Sequence, residues 1–503
     1  MSLGRIFKSG GSLMSGQAVN VITQLLLPPI FLRRYGVAAY GEWLTLTAAV
    51  GYLSSLNFGL QTFTNNQVAI CYNRGELEEA RTLQATAMLL MCSILLAAAL
   101  LTCVVFVLPI DRWLGINLSR GVVSATVYLL GLQLLIKMLM GLIVGSFLVI
   151  GVSYRGSNWN NASALAITLV TAAMALARAS FVWIAAQQAI TLTIFCLLAT
   201  LDLWRKAPEL IPQFQYARPS RSGEILKQSG YFGLLFWVGF LVYQLPLILM
   251  QRILGPSSVV AFSITRTIYS MSRQALTAIT QALGQEITEL YGRHEWDRLF
   301  RLYELSERVV LAMIPTVSIG TLLITPVLIA VWLHKPNLYD PYICIIMALI
   351  SGAMGIKEHK YQFQVSTNQH AALARMMFWT YLGMVGVAIP GIHLFGVIGF
   401  LVPWLLTEVI QVLFILRFNR RLFVPAAKLD FVPVYKLFAL MGGSVVLGAW
   451  FAIHAQQKSL LQCALTAIAF AVALACISYP LFQLRDVKTY LRDRMALRSQ
   501  HSA

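Results

Sequence analysis

Apolar segments of about 20 residues recur along the whole chain, and each is long enough to cross about 30 Å of hydrocarbon. A globular protein of ordinary composition has about 25% charged residues, whereas this chain has 12% and a mean hydropathy of +0.72. We therefore predict an all-α polytopic membrane protein with about 14 transmembrane helices. The predicted spans are 12–32, 42–64, 85–108, 123–150, 161–177, 181–202, 229–251, 258–282, 309–332, 342–365, 372–390, 394–416, 435–453 and 460–482.

The distribution of basic residues predicts the orientation of these helices. If the N-terminus is cytoplasmic, the cytoplasmic connections hold most of the 38 Lys and Arg residues, as the positive-inside rule requires. Both termini are then cytoplasmic. The net charge of +18 is explained by these connections and does not indicate a nucleic-acid partner.

The cysteine spacing and the absence of a phosphate-binding loop limit the chemistry. The seven cysteines show no CxxC or CxxH spacing, so neither a metal site nor a disulfide framework is predicted. No GxxxxGK[ST] pattern occurs, which excludes ATP as the direct energy source. No cofactor is expected, and an ion gradient or the membrane potential is implied by elimination.

The two halves of the chain repeat. A shift of 219 residues places Gly36 on Gly255 and the cytoplasmic segment beginning at Tyr72 on that beginning at Tyr291. Parallel repeats of this kind are typical of transporters, with the substrate site between the halves near the midplane. The predicted organisation is a six-helix lobe (1–202), a cytoplasmic linker (203–228), a second six-helix lobe (229–416), and two extra helices with a basic tail (417–503).

The predicted helix 258–282 carries two arginines within the membrane. Arg266 and Arg273 are two helical turns apart, so they project from one face together with Thr277. A charge at the bilayer centre costs at least about 2.5–3.5 kcal/mol. The arginines could pair with buried acids and hold helices together, but the favoured interpretation is a water-filled cavity with a basic wall that binds an anion.

Other polar side chains extend this candidate site. The second span carries Ser54, Asn57, Gln61 and Asn65 on one helical face, which indicates either interhelical hydrogen bonds or a cavity wall. Lys137 lies in the middle of the fourth span and Lys357 lies at the equivalent place in the repeat.

Three further ionisable residues in predicted spans are candidates for ion coupling. Glu358 and His359 follow Lys357 directly, and Glu408 lies in the twelfth span. An acid here could neutralise a neighbouring cation or take part in ion coupling, and the histidine could carry a proton or be structural. The sequence does not choose between these roles.

Three stretches carry a resemblance to a known family: YGVAAYGEWL from Tyr35, LNFGL from Leu56, and NRGELEEA from Asn73. They resemble the opening of the polysaccharide transporters, the O-antigen and exopolysaccharide flippases of the multidrug/oligosaccharidyl-lipid/polysaccharide exporter superfamily. Asn57 stands where many members have aspartate. The resemblance implies two six-helix bundles around a central cleft, with two extra C-terminal helices.

The resemblance also implies a function. Family members flip undecaprenyl-diphosphate-linked oligosaccharide across the bacterial inner membrane by alternating access. Cationic partners for the diphosphate would then be Arg266, Arg273, Lys137 and Lys357, and the polar side chains named above could bind sugars. Implied partners are the lipid-linked oligosaccharide, membrane lipids, glycosyltransferases and a polysaccharide polymerase.

Three alternatives stay open at this point. A lipid II flippase or a multidrug exporter would have the same fold, although an exporter of cations needs an acidic cavity. A membrane-embedded polymerase or ligase is the alternative from another class, but such an enzyme needs large external loops or acidic catalytic residues. The short predicted external connections argue against an enzyme.

Overall fold

The computed structural model describes residues 3–57, 59–367, 369, 371–422, 432–454 and 459–485. In this part of the chain the regular structure is entirely helical. Twelve of its helical stretches are long and apolar enough to cross a membrane. The protein is thus a multi-pass membrane protein, as the sequence predicts.

The chain divides into two compact units, residues 1–260 and 261–503. In the first unit, α6 packs against α8, α1 against α7, and α3 against both α4 and α6. Its helices are α1 (Leu3–Arg34), α2 (Gly36–Ala49), α3 (Leu60–Asn73), α4 (Leu77–Thr102), α5 (Ile110–Leu114), α6 (Arg120–Val149), α7 (Ser153–Leu176), α8 (Phe181–Lys206), α9 (Ser222–Gly239) and α10 (Leu245–Leu254).

The second unit is built around α14, which contacts α13, α16 and α17. Its apolar core joins α13, α14, α16, α17 and α18. Helix α11 (Pro256–Ala282) begins in the first unit and continues in the second, which also contains α12 (Gly284–Gly292), α13 (Trp296–Leu328), α14 (Pro341–Ser366), α15 (Ala371–Phe395), α16 (Ile398–Asn419), α17 (Val432–His454) and α18 (Leu460–Leu481).

The twelve membrane-length stretches coincide with twelve of the fourteen predicted spans. The two missing spans are the second and the eighth, which carry the polar residues. A single helix over 42–64 is wrong, because a 3-10 turn at Gly51–Asn57 separates α2 from α3, and Gly59 has a positive φ of 71°. The eighth span is the continuous helix α11, but its arginines and hydroxyls make it too polar to be recognised by hydropathy. A count of fourteen stays a prediction.

The backbone conformation supports the internal repeat. Three positive-φ positions in the first unit recur 219 residues later, and φ is 85° at both members of the first pair. The helices that follow the second pair begin at equivalent residues, Leu77 and Trp296. The three pairs are Gly36 and Gly255, Gly75 and His294, and Gly115 and His334. The lobe boundaries and the rotation that relates the lobes stay predictions.

The predicted linker 203–228 is held against the cytoplasmic ends of α3 and α4 as the orientation rule assigns them. The hydroxyl of Tyr72 donates to Glu209 at 3.1 Å. The backbone N–H of Arg218 donates to Thr86 at 2.9 Å, and Arg221 pairs with Glu79. The segment between α8 and α9 is therefore an ordered part of the first unit.

Helices α3 and α6 approach closely because α6 carries two glycines four residues apart. A Cβ on Gly141 would lie 2.5 Å from the amide nitrogen of Gln61, and a Cβ on Gly145 would overlap the side chain of Asn65. The Gln61 amide also donates to the backbone carbonyl of Met138 on α6. Small residues at this spacing allow close contact of membrane helices, so the lower part of the polar stripe is an interhelical contact.

Replacing Gly145 by leucine is expected to push α3 away from α6 and to lower the free energy of unfolding by about 1–3 kcal/mol, the usual effect of overpacking. The measurement is the thermal unfolding midpoint of the purified protein in detergent. Gly121→Leu on the same helix is the control, because a Cβ at Gly121 meets no atom within 4 Å. Equal effects of the two variants would contradict the close contact.

Candidate functional site

The first unit contains a cavity of about 560 Å³. Side chains from α1, α3, α6, α7, α8, α9 and the 3-10 turn at Gly51–Asn57 form its wall. This volume is within the range of about 300–1,000 Å³ that is usual for small-molecule sites. It is the candidate substrate cavity of the first unit.

Three of the predicted site residues line this cavity: Ser54, Gln61 and Lys137. They come from three different segments, which the fold brings together. Asn65 is absent from the lining, because it points at Gly145 and its Oδ1 is buried with no partner among the described residues. The side chain of Asn57 is outside the described part of the chain.

Most of the remaining polar lining comes from residues that the sequence analysis did not select. Asn160 and Asn161 lie in the first turns of α7, Asn20 on α1 and Gln133 on α6. Each amide can donate and accept hydrogen bonds, which suits the hydroxyl groups of a sugar. The signal was present in the sequence as the segment SNWNN at 157–161, which is unusually rich in amides for the start of an apolar span.

Lys137 is the one charged residue among the described residues that line the cavity. Its side chain is exposed, and no described carboxylate forms an ion pair with it. An ammonium group without a counter-charge, beside a wall of neutral amides, attracts an anion. The cavity is therefore suited to a ligand that combines a negative charge with hydroxyl groups.

In the second unit, the charged side chains form a buried network around α14. Lys357, Glu358, His359 and Lys360 are consecutive, and consecutive helical residues point about 100° apart. These four side chains therefore reach the surrounding helices α11, α13, α15 and α16. The network cross-links the centre of this unit.

The first part of the network contains Lys357, which is only 5% exposed. Its ammonium group pairs with Glu408 and donates to Tyr381 at 2.6 Å and to Gln411 at 2.9 Å. Glu408, fully buried, also accepts from Tyr381 at 2.5 Å and from Trp404 at 2.9 Å. Lys357 is thus enclosed by helix-packing contacts and lines no described cavity, contrary to the expectation of a substrate-binding cation.

The second part joins α14 to α13. Lys360, fully buried, pairs with Glu307 and lies 4.2 Å from the centre of the Tyr303 ring. The ring of His359 shares a hydrogen bond of 2.8 Å with the hydroxyl of Ser306. Sequence reasoning placed Lys360 in the charge cluster but did not find Glu307, because a lone glutamate in the first half of a long helix resembles a solvated residue.

The third part contains Arg273. Its Nε donates to Glu358 at 2.7 Å, and the hydroxyl of Thr277 donates to the other carboxylate oxygen at 2.7 Å. The Arg273 and Glu358 side chains are 12% and 22% exposed. This ion pair favours the structural interpretation of Arg273 and assigns Glu358 to α11, one of the two partners that the sequence left open.

Arg266 has a different environment from Arg273. Its guanidinium lies 5.3 Å from the centre of the Phe262 ring, and Phe262 in turn makes edge contact with Phe400 at 5.6 Å. Stacking on an aromatic face stabilises a desolvated cation by about 2 kcal/mol. The two arginines of α11 thus differ in their contacts although they share a helical face.

Comparison with known proteins gives a likeness in structure alone. No protein-family model and no curated protein sequence matches the chain. Among solved structures, an inward-facing multidrug-resistance MATE transporter of the MOP superfamily covers 84% of this chain and 95% of its own, with a TM-score of 0.65 and 13% identity. The lipid II flippase MurJ, in an inward closed conformation, covers 95% of this chain and 99% of its own, with a TM-score of 0.66 and 12% identity.

A third solved structure with the same fold is a MOP-superfamily transporter from Pyrococcus furiosus, whose binding pocket has reversed polarity, which suggests a different function. It has a TM-score of 0.62, 12% identity, and covers 83% of this chain and 95% of its own. The chain therefore has the fold of MOP-superfamily transporters. These structural neighbours are transporters and flippases and not enzymes.

Proposed function

We propose that the protein is a flippase that moves a polyprenyl-diphosphate-linked oligosaccharide across the bacterial inner membrane, with both termini in the cytoplasm. The cavity of the first unit is the observation that carries this proposal. It combines an unpaired ammonium group, a row of side-chain amides and no described acidic lining. The diphosphate would contact Lys137, and the sugar hydroxyls would contact the amides.

The electrostatics of the cavity also separate this function from drug export. An exporter of organic cations needs negative charge at its binding site, since a cation entering a medium of low dielectric requires a counter-charge. Lys137 would repel such a substrate. The first unit is thus suited to an anionic substrate, and the glycosyltransferases and polymerase of a polysaccharide pathway are its proposed partners.

The extent of the structural likeness supports a flippase at the level of fold. The lipid II flippase covers 95% of this chain, whereas the MATE transporter covers 84%. A lipid II flippase is the second candidate for this reason, because lipid II also joins a saccharide to a polyprenyl diphosphate. Fold alone does not assign a substrate, so the saccharide has to be distinguished by experiment.

Replacing Lys137 by methionine is expected to lower transport about 10- to 100-fold, because one charge-assisted contact contributes about 1.5–3 kcal/mol. Lys137→Arg keeps the charge and is expected to retain most of the activity. The measurement is translocation of a fluorescent undecaprenyl-diphosphate oligosaccharide in proteoliposomes that contain the purified full-length protein. Lipid II is the second probe in the same assay.

Lys206→Met is the matched control, since Lys206 is an exposed lysine at the end of α8 and lies outside the cavity. It is expected to transport normally. Unchanged transport by Lys137→Met would refute the proposed role of the cavity. Faster transport of lipid II than of the oligosaccharide would select the second candidate.

A further inference from the structure

The junction of α16 and α17 contains a second cavity, of about 390 Å³, which lies in the second unit and is distinct from the candidate substrate cavity. It is lined by Leu413, Leu416, Arg417, Arg420 and Tyr435. Four of these residues lie on α16 at positions i, i+3, i+4 and i+7. This spacing places them on one face of the helix.

The chemistry of this face changes along the helix. Leu413 and Leu416 lie on the side of the membrane-spanning part, and Arg417 and Arg420 lie in the last turn and just after it. The change from apolar to cationic occupies seven residues, or about 10 Å of helix. A ligand that fits this face has an apolar chain joined directly to an anionic headgroup.

The charges of the two arginines are available to such a ligand. Both side chains are exposed, and no carboxylate in the described part of the chain pairs with either. Arginine binds phosphate through two parallel hydrogen bonds. Tyr435, at the start of α17, presents a hydroxyl group on the opposite side of the cavity. Three donors thus surround the place where a headgroup would lie.

We propose that this cavity binds the phosphate headgroup of an anionic phospholipid, with an acyl chain along the two leucines. The membrane supplies this ligand at high local concentration, and the basic bias of the connections places the end of α16 at the anionic inner leaflet. The site is independent of the transported substrate, since no residue of its wall belongs to the first unit.

The test is native mass spectrometry of the full-length protein in neutral detergent, titrated with phosphatidylglycerol. Each basic residue near an anionic surface contributes about 1 kcal/mol, so Arg417→Gln/Arg420→Gln is expected to bind phosphatidylglycerol about 30-fold more weakly. Arg417→Lys/Arg420→Lys keeps the charge and is expected to bind better than the glutamine variant. The single variant Arg420→Gln repeats the test if the double variant does not fold.

The matched control is Arg205→Gln/Lys206→Gln, which removes the exposed basic pair from the last turn of α8. It is expected to bind phosphatidylglycerol as the unaltered protein does. Equal binding of phosphatidylcholine would overturn the proposal, because it would show that the site holds the acyl chain alone. Binding of undecaprenyl diphosphate without binding of phosphatidylglycerol would also overturn it, and would assign the cavity to the substrate.

Discussion

Replacing Glu408 by alanine is expected to lower the free energy of unfolding by about 3–5 kcal/mol, the usual cost of leaving one partner of a buried ion pair without its counter-charge. The residue that loses its partner is Lys357, which is 5% exposed and has no water nearby to replace the carboxylate. The hydroxyl of Tyr381 and the indole N–H of Trp404 lose their acceptor as well. The measurements are the thermal unfolding midpoint in detergent and the amount of folded protein in the membrane.

The double variant Lys357→Met/Glu408→Leu tests the cause of this loss. It removes both charges together and is expected to recover most of the stability, because apolar groups of similar volume replace a buried ion pair at little cost. Glu78→Ala is the surface control, since Glu78 is exposed in the first turn of α4. If the double variant were less stable than Glu408→Ala, the pair would have to act as more than a mutual charge compensation.

Reversing the charge of Arg273 is expected to have the second large effect. Arg273→Glu would place a carboxylate beside Glu358, whose oxygen now lies 2.7 Å from the Arg273 guanidinium. Two like charges in this partly buried position are expected to lower the free energy of unfolding by about 3 kcal/mol. The amount of folded protein in the membrane, measured by fluorescence-detected size exclusion, reports this effect.

The exchange variant Arg273→Glu/Glu358→Arg separates the two interpretations of Arg273. If the arginine holds α11 to α14, the exchange restores the ion pair and most of the folded protein. If the arginine binds an anion of the substrate, protein level is normal but transport is lost, because the cation has moved to another helix. Normal transport together with a normal level in Arg273→Ala would contradict both roles.

Charge compensation explains why the two units differ in what they can bind. In the second unit, Lys357, Lys360 and Arg273 are each paired with a glutamate, so their charge is used to hold helices together. In the first unit, the lysine at the equivalent position, Lys137, lines a cavity and has no described counter-charge. The repeat has thus produced one lysine that stabilises the fold and one that is available to a ligand.

The arrangement of the helices was largely predictable, because it depends on the length and composition of single segments. Each of the twelve membrane-length helices was recognisable as an apolar run. The interval of 219 residues was visible at Gly36 and Gly255 because a positive φ favours glycine. The hydropathy criterion failed at residues 42–64 and 258–282, where polar side chains that contact other helices make a span resemble a loop.

The sequence by itself determined that this is an all-helical, multi-pass membrane protein with a repeated organisation, because hydrophobicity and helical periodicity are local properties of the chain. Only the tertiary structure decided which of its intramembrane charges are paired. Arg273 and Lys137 look alike in sequence, but the partner of Arg273 is 85 residues away, and the cavity beside Lys137 is formed by segments from α1 to α9. Pairing and cavity formation depend on distances between helices, and such distances are fixed only when the helices pack.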